Sequence, residues 1–269
     1  MLKFEYPEFG GEQTIIPDII GNKISGAVLN DALSDADCQA IHAIIRELTD
    51  RYFTDLNEQN GYSLPSMFGQ LHKSLPYNLA NKYFDEVETF KLSVNSIYRA
   101  DFGEKLISLL KKAFQPMDMA VLSGFLPYSF RIVYPGKLGL SLHRDGDLLP
   151  YIHQDVAKRI ASQIQVNTLM SWFFTIQQPE KGGELWVGDS CYNTYYKKGE
   201  MLIAEDGRMI SPAEIPHMTV PTEKGSLLVF KGGSYWHMVL PPGPNLNERI
   251  TLGGFMALSL AGNSLLIWS

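Results

Sequence analysis

Beyond Pro116 the chain is cut by Gly and Pro into short runs rich in β-branched and aromatic residues, and this punctuation constrains the fold more than any other feature. The spacing predicts strands over 129–134, 138–143, 169–176, 184–187, 226–231, 235–240 and 249–257. A helical pattern interrupts them once, over 147–165. Many short strands without a helix between each pair favour a β-sandwich or jelly roll over alternating β and α units.

Before Pro116 the pattern is different. Residues 1–30 mix Gly, Pro and β-branched residues, as expected of an extended arm or short strands packed on a sheet. Ser34 is placed to cap a helix, with acids in its first turn and Ile41, Ile44, Ile45 and Leu48 at helical spacing. Residues 56–80 read as loop, with Asn57, Asn60, Gly61, Pro65 and Pro76. A second helical zone covers 101–114, where Leu106, Leu109, Leu110 and Phe114 form an apolar stripe. All-β folds reach the length of this chain, 269 residues, as one unit. The expectation is a single domain: 1–116 mainly helical support, and 117–269 a jelly-roll core carrying the helical insertion 147–165.

A hydrophobic fraction of 45% and a charged fraction of 19% leave no room for a disordered chain. The net charge of −6 and the lack of clustered Lys and Arg argue against nucleic acid as a partner, because a phosphate backbone is held by displacing its counterions. Cys38 and Cys191 are too few and too distant for a disulfide framework, and no CxxC occurs, which suits a reducing compartment. Met1-Leu2-Lys3-Phe4-Glu5 does not begin a leader, and no apolar run approaches eighteen residues. A cytoplasmic protein without a membrane partner is expected, and nothing indicates its oligomeric state.

The chemistry concentrates in two places. His143 and Asp145 are two residues apart, so on an extended strand end both project to one face while Arg144 points away. His237 follows a turn, Gly232-Gly233-Ser234-Tyr235-Trp236, at the entry to a predicted strand that a jelly roll could set beside the first. Two imidazoles and one carboxylate on one side of a metal are the ligand set of non-haem Fe(II) oxygenases, although the same residues are compatible with separate surface or core roles. Arg249 lies twelve positions after His237. Its planar fork could grip a carboxylate ligand or pair with Glu248 or another acid.

Together these residues resemble the Fe(II)/2-oxoglutarate-dependent dioxygenase superfamily, over roughly 128–258. Tyr134, nine residues before His143 in Arg131-Ile132-Val133-Tyr134-Pro135-Gly136, is similar to the tyrosine ahead of the metal motif in the prolyl-4-hydroxylase-like branch. Gly182-Gly183-Glu184-Leu185 and Gly225-Ser226-Leu227-Leu228-Val229-Phe230 match that branch's GGEL turn and the strand leading to its distal histidine. Gly232-Gly233-Ser234-Tyr235-Trp236-His237, Gly253-Gly254-Phe255-Met256-Ala257-Leu258-Ser259 and Ile267-Trp268-Ser269 resemble more closely the carrier-independent group of indole-alkaloid halogenases and the N-succinyl amino-acid hydroxylase. The resemblance implies a double-stranded β-helix, a cupin-like jelly roll, mainly β with flanking helices. It implies Fe(II) held by the catalytic ligands His143, Asp145 and His237, with 2-oxoglutarate as cosubstrate and O2. Arg249 would hold the distal carboxylate of 2-oxoglutarate, with Thr251 on the same strand face and Tyr134 as a further contact.

Halogenases of that group carry Gly where this chain has Asp145, so the resemblance implies a hydroxylase acting on an unactivated C–H bond of a freestanding small molecule, an amino-acid derivative or specialised metabolite. Succinate and CO2 would be released. Desaturation, cyclisation or halogenation at the same iron is the alternative enzyme reading, and a metal-binding jelly-roll sensor without turnover is the alternative of another class. Leu140, Leu148 and Trp172 flank the motif or a neighbouring strand and are candidate pocket walls. His153, in the insertion, belongs either to a lid over the substrate or to a cover on the barrel mouth. His42, His72 and His217 are assigned no chemistry, Cys191 has no partnered His, and Gly182-Gly183 opens no phosphate-binding motif.

Overall fold

The computed structural model describes residues 1–11, 14–52, 62–64, 77–137, 140–147, 149–189, 194–198, 201–204, 208–244 and 247–269. At its centre, β6 (Met170–Gln177) pairs antiparallel with β14 (Arg249–Leu258). On the far side of β6 lie β12 (Leu227–Phe230), then β2 (Gly26–Leu29) and β1 (Phe4–Glu5). The other edge of β14 is long enough to serve two strands. Its first half takes β5 (Ser129–Val133), flanked by β3 (Tyr62–Leu64). Its second half takes β15 (Ser264–Trp268), which pairs in parallel with β4 (Asp118–Val121). These nine strands form the major sheet.

A smaller sheet sets β7 (Leu185–Gly188) between β11 (His217–Val220) and β13 (His237–Val239), and His143 adds to β13 by an antiparallel bridge. Phe4, Val28, Leu228 and Phe230 of the major sheet meet Leu185, Val187 and Val220 of the minor one in an apolar layer. The expected jelly roll is therefore present as two facing sheets. Each predicted strand from 169 onward is found within one or two residues of its expected ends, and that over 129–134 ends at Val133. The strand expected over 138–143 falls partly outside the described residues, and His143 is its part seen paired.

Alternation along β6 decides which side each residue serves. Met170, Trp172, Phe174 and Ile176 enter the main core beneath the helices, while Ser171, Phe173 and Thr175 face the minor sheet. The helices cover the first set. They are α1 (Ile15–Ile20), α2 (Asp35–Tyr52), α3 (Tyr77–Tyr98), α4 (Phe102–Ala113) and, in the insertion, α5 (Gln154–Ala161). Ser34 caps α2 as expected: its Oγ accepts from Asp37 N at 3.1 Å, and the Asp37 carboxylate accepts in return from Ser34 N. Asp101 caps α4 by accepting from Glu104 N at 2.9 Å. Ile41, Ile44, Ile45, Leu48, Leu106 and Leu110 are buried against the sheet, as their spacing predicts.

Two features were not expected from the sequence. Helix α3 presents Tyr83, Val87, Phe90 and Val94 to the core at helical spacing. A third sheet of β8 (Thr194–Lys198), β9 (Met201–Ala204) and β10 (Met209–Ile210) contributes Leu202 and Ile210 to a layer with Leu142, Trp186 and Trp236 behind the minor sheet. Of the expected 56–80 loop, the described parts are β3 and the first turn of α3, and the rest lies outside the described residues. No described helix is long and apolar enough to cross a membrane.

Leu48 is fully buried where α2 meets the core. Leu48→Ala is expected to cost about 2–5 kcal/mol of stability, read by urea unfolding. A loss below about 1 kcal/mol would show that α2 is not seated in the core as described.

Candidate metal centre

His143 and His237 are direct cross-strand partners. Each donates its backbone N–H to the other's carbonyl at 2.9 Å, which fixes both side chains on the same face of the minor sheet. Their rings lie 4.2 Å apart between centroids, and Phe230 packs edge-on to His237. Each Nδ1 faces the backbone carbonyl two residues earlier, Ser141 O at 2.6 Å for His143 and Tyr235 O at 2.9 Å for His237. Those carbonyls accept the ring proton, which leaves both Nε2 lone pairs aimed at a common point.

Asp145 reaches that point by a different route from the one expected. It does not continue a strand but opens a 3-10 turn, Asp145–Asp147, tied by Asp145 N donating to Gly232 O at 3.0 Å. The turn brings its carboxylate to 3.4 Å from His143 Nε2 and 3.5 Å from His237 Nε2. Ser171 Oγ, on the inward face of β6, donates to the same carboxylate. Gly232 lies directly beneath: a Cβ there would collide with both Ser171 Oγ and Asp145 Oδ2. One ligand atom from each of the three side chains falls within 4.8 Å of the others.

The protonation states suit a cation. Burial and the neighbouring His237 push the His143 pKa down, favouring the neutral ring. Burial alone would raise Asp145, but the two histidines hold its carboxyl well below the usual carboxylate range. An ionised carboxylate and imidazoles with free Nε2 atoms are the deprotonated donors that a divalent ion requires. Two nitrogens and one oxygen fit a first-row ion such as Fe(II) and leave further coordination positions for other molecules.

Behind the ligands, Arg144 does point away from the metal face. Its guanidinium is bidentate to Asp147 at 2.8 and 2.9 Å and stacks 4.8 Å from the Trp236 ring, so it joins the two ligand-bearing segments from the outside.

A cavity of about 240 Å³ opens between the sheets beside Asp145 and His237. Arg249 lines it, 3% exposed, with its Cζ 4.9 Å from the centre of the Phe173 ring. Among the described residues its Nε and Nη2 have no hydrogen-bond partner. Burial, with Arg131 adding repulsion, pushes its pKa down to about 9 against an opposing pull from Glu184. Arginine keeps its proton in proteins, so the shift measures how poorly this cation is solvated. Gly182 and Gly183, both at positive φ (77° and 76°), form the turn that lets this cation in: a Cβ on Gly183 would press on Arg249 Cδ. Thr251 is buried in the cavity wall two residues further along β14.

Leu140 also lines the cavity, and its carbonyl accepts from Val239 N at 3.0 Å. Trp172 borders it by position, with its indole in the helix-side core donating to Phe255 O. Tyr134 is not brought to the cavity. It follows β5 and packs against the helix-side core, because alternation turns Val133 and Arg131 inward instead. His153 also lies away from the lining, at the N-cap of α5. Leu148 lies outside the described residues. The sequence reading overlooked Arg131, Ser171 and Phe173. A lone Arg in Ser129-Phe130-Arg131-Ile132-Val133 and a lone Ser in Met170-Ser171-Trp172 are polar breaks in apolar strands, and that signal could have found the first two.

Ser171→Ala is expected to weaken binding of a divalent ion by about ten- to a hundredfold, measured with Zn(II) against a competing chelator, with the fold intact. Equal affinities would mean that Ser171 does not restrain the carboxylate.

The crystal structure of an N-substituted L-amino acid dioxygenase from Burkholderia ambifaria AMMD is similar in fold, with a TM-score of 0.57, 16% identity, and coverage of 93% of this chain and 89% of that one. A second structure of such a dioxygenase from the same organism, in complex with alpha-KG, gives a TM-score of 0.52 at 14% identity, covering 94% and 90%. No curated protein matches. The family model described as carrier-protein-independent halogenase WelO5 matches residues 1–269. Because that match spans the whole chain, this protein belongs to the WelO5 family, within the Fe(II)/2-oxoglutarate-dependent oxygenases.

Proposed function

We propose that this enzyme uses Fe(II), 2-oxoglutarate and O2 to hydroxylate an unactivated C–H bond of a freestanding small molecule, an amino-acid derivative or specialised metabolite. The observation that carries this reading is the Asp145 carboxylate, set 3.4 and 3.5 Å from the two Nε2 atoms and fixed by Ser171. A halide on the metal would need the position this carboxylate takes, so oxygen insertion is favoured over the halogenation for which the family is named. The family description, independent of a carrier protein, supports a freestanding substrate. The similarity in fold to an N-substituted L-amino acid dioxygenase is compatible with an amino-acid derivative.

His143, Asp145 and His237 would hold the iron, and Arg249 the distal carboxylate of 2-oxoglutarate, with the Thr251 hydroxyl beside it. When bound, iron and cosubstrate supply an oxidant from O2, with one oxygen atom going to the substrate and the other to succinate as CO2 leaves. The chain's own contribution is placement. The Ser141 and Tyr235 carbonyls keep the imidazoles in one tautomer. Phe173 and Gly253 shape the floor of a cavity walled by Val133, Leu185 and Val239, which keeps water from the reacting carbon. The unsolvated Arg249 fork gains most from a carboxylate, because its burial has already been met in folding.

Succinate release screened across N-acyl amino acids, free amino acids, nucleosides and alkaloids, read with product mass, tests the proposal. A gain of one oxygen is expected. Loss of two hydrogens, or the isotope pattern of chlorine, would replace hydroxylation by desaturation, ring closure or halogenation, and binding of Fe(II) and 2-oxoglutarate without succinate from any substrate would favour a sensor. His143→Ala and His237→Ala are expected to abolish substrate-dependent succinate formation with circular dichroism unchanged; turnover at the wild-type rate in either would remove it from the ligand set. Arg249→Met removes a buried, unpaired cation. It is expected to weaken 2-oxoglutarate binding about a hundredfold while leaving the thermal midpoint of the ligand-free protein unchanged or a few degrees higher. A large fall in that midpoint would show that Arg249 is a structural cation instead.

A further inference from the structure

Arg131 is a second cation in the cavity that Arg249 lines. It stands on β5 directly opposite Thr251, while Arg249 stands opposite Val133, so the two arginines are diagonal neighbours on the inward face of the β5–β14 pair. Both line the cavity. Among the described residues none forms a hydrogen bond or salt bridge with the Arg131 guanidinium. The negative charge acting on it is that of Asp145, whose carboxylate accepts from Ser171 and shares the metal-facing point with His143 and His237. Glu184 acts on Arg249 instead. Gly253, two residues beyond Thr251 on β14, also lines the cavity and adds no side chain to it. Two like charges thus face one cavity, with no carboxylate among the described residues in salt-bridge contact with either, an arrangement that costs stability until an anion enters.

We infer that Arg131 is a second carboxylate-binding site, separate from Arg249, whose planar fork holds a carboxylate lying over Gly253 beside the metal ligands. That carboxylate comes from one of two sources: the metal-chelating end of the 2-oxo acid, or a carboxylate on the primary substrate. The inference rests on the oxygenase reading for the identity of the 2-oxo acid. It goes beyond that reading in giving the cavity two oxyanion anchors, and therefore a preference for acids that one arginine would not create.

Zn(II)-loaded protein allows binding to be read by calorimetry without turnover. The probes are 2-oxoglutarate and 2-oxopentanoate, which lacks the distal carboxylate, followed by N-acetylated amino acids and their amides added to protein saturated with 2-oxoglutarate. If Arg131 holds the chelating end, Arg131→Gln weakens both keto acids by about tenfold or more, whereas Arg249→Gln weakens 2-oxoglutarate alone. If it holds the primary substrate, the keto acids bind Arg131→Gln and wild type alike. The wild type then prefers acids to amides by about tenfold or more, and the variant loses that preference. Arg131→Lys keeps the charge without the fork; it is expected to fall between the two, and it replaces the Gln variant should that fail to fold. Keto acids bound alike by wild type and variant, together with acids and amides bound alike, would overturn the assignment. Failure of the wild type itself to bind 2-oxoglutarate would instead overturn the oxygenase reading on which it rests.

Discussion

The structure of the site depends on one antiparallel register, the exchange of two backbone hydrogen bonds between His143 and His237. A slip of one residue in that pairing would send one imidazole to the opposite face of the minor sheet, into the layer formed by Leu142, Trp186 and Trp236. Register must therefore be held from both sides. On the inward side Phe230 packs against His237, and Ser171 draws Asp145 toward the major sheet. On the outward side Arg144 binds Asp147 and stacks on Trp236, the residue just before His237. The third sheet then covers Trp236 with Leu202 and Ile210. Elements that lie away from His143, Asp145 and His237 thus fix the angle at which these side chains meet.

The same logic explains where the chain tolerates unfavourable electrostatics. Arg249 and Arg131 face one cavity without a carboxylate of the described residues in salt-bridge contact, while Asp145 is buried against two histidines. A fold selected only for stability would pair or expose such charges. Here they are kept apart along the cavity, anion at the metal end and cations along β5 and β14. A cation beside Asp145 and carboxylates at the arginines would relieve both ends at once, so folding leaves the cavity short of charge of each sign.

Much of this was legible because its signals are local. The strands from 169 onward follow from β-branched runs bounded by Gly and Pro, and Ser34 with Ile41, Ile44, Ile45 and Leu48 marks α2 by cap and stripe. His143, Asp145 and His237 stood out by residue type and spacing. Helix α3 was missed although Tyr83, Val87, Phe90 and Val94 keep the helical period, because its aromatic and β-branched residues carry weak helix propensity and tertiary burial supplies the difference. Tyr134 was misplaced for a geometric reason. Which residues of β5 face inward depends on pairing Arg131 with Thr251 across more than a hundred positions of sequence, and no local pattern states that register. Ser171 and Phe173 became site residues through the same long-range pairing of β6 with β14.

Family membership and reaction are set by different residues in this chain. The family match extends over residues 1–269 and therefore reflects the whole pattern of strands, turns and core, which any chemistry at the metal can share. On the proposed reading, the balance between oxygen insertion and halogenation turns on a local feature, whether a carboxylate or an open position stands beside the two imidazoles. Asp145 is not a loose side chain that happens to fill that position: its backbone N–H is tied to Gly232 O, its carboxylate accepts from Ser171, and the absence of a Cβ at Gly232 makes room for both. Losing the carboxylate would leave the Ser171 hydroxyl facing the vacated space. The surroundings of Asp145 are thus built for a carboxylate, and it is that fit, more than the name of the family, that favours an oxygenase.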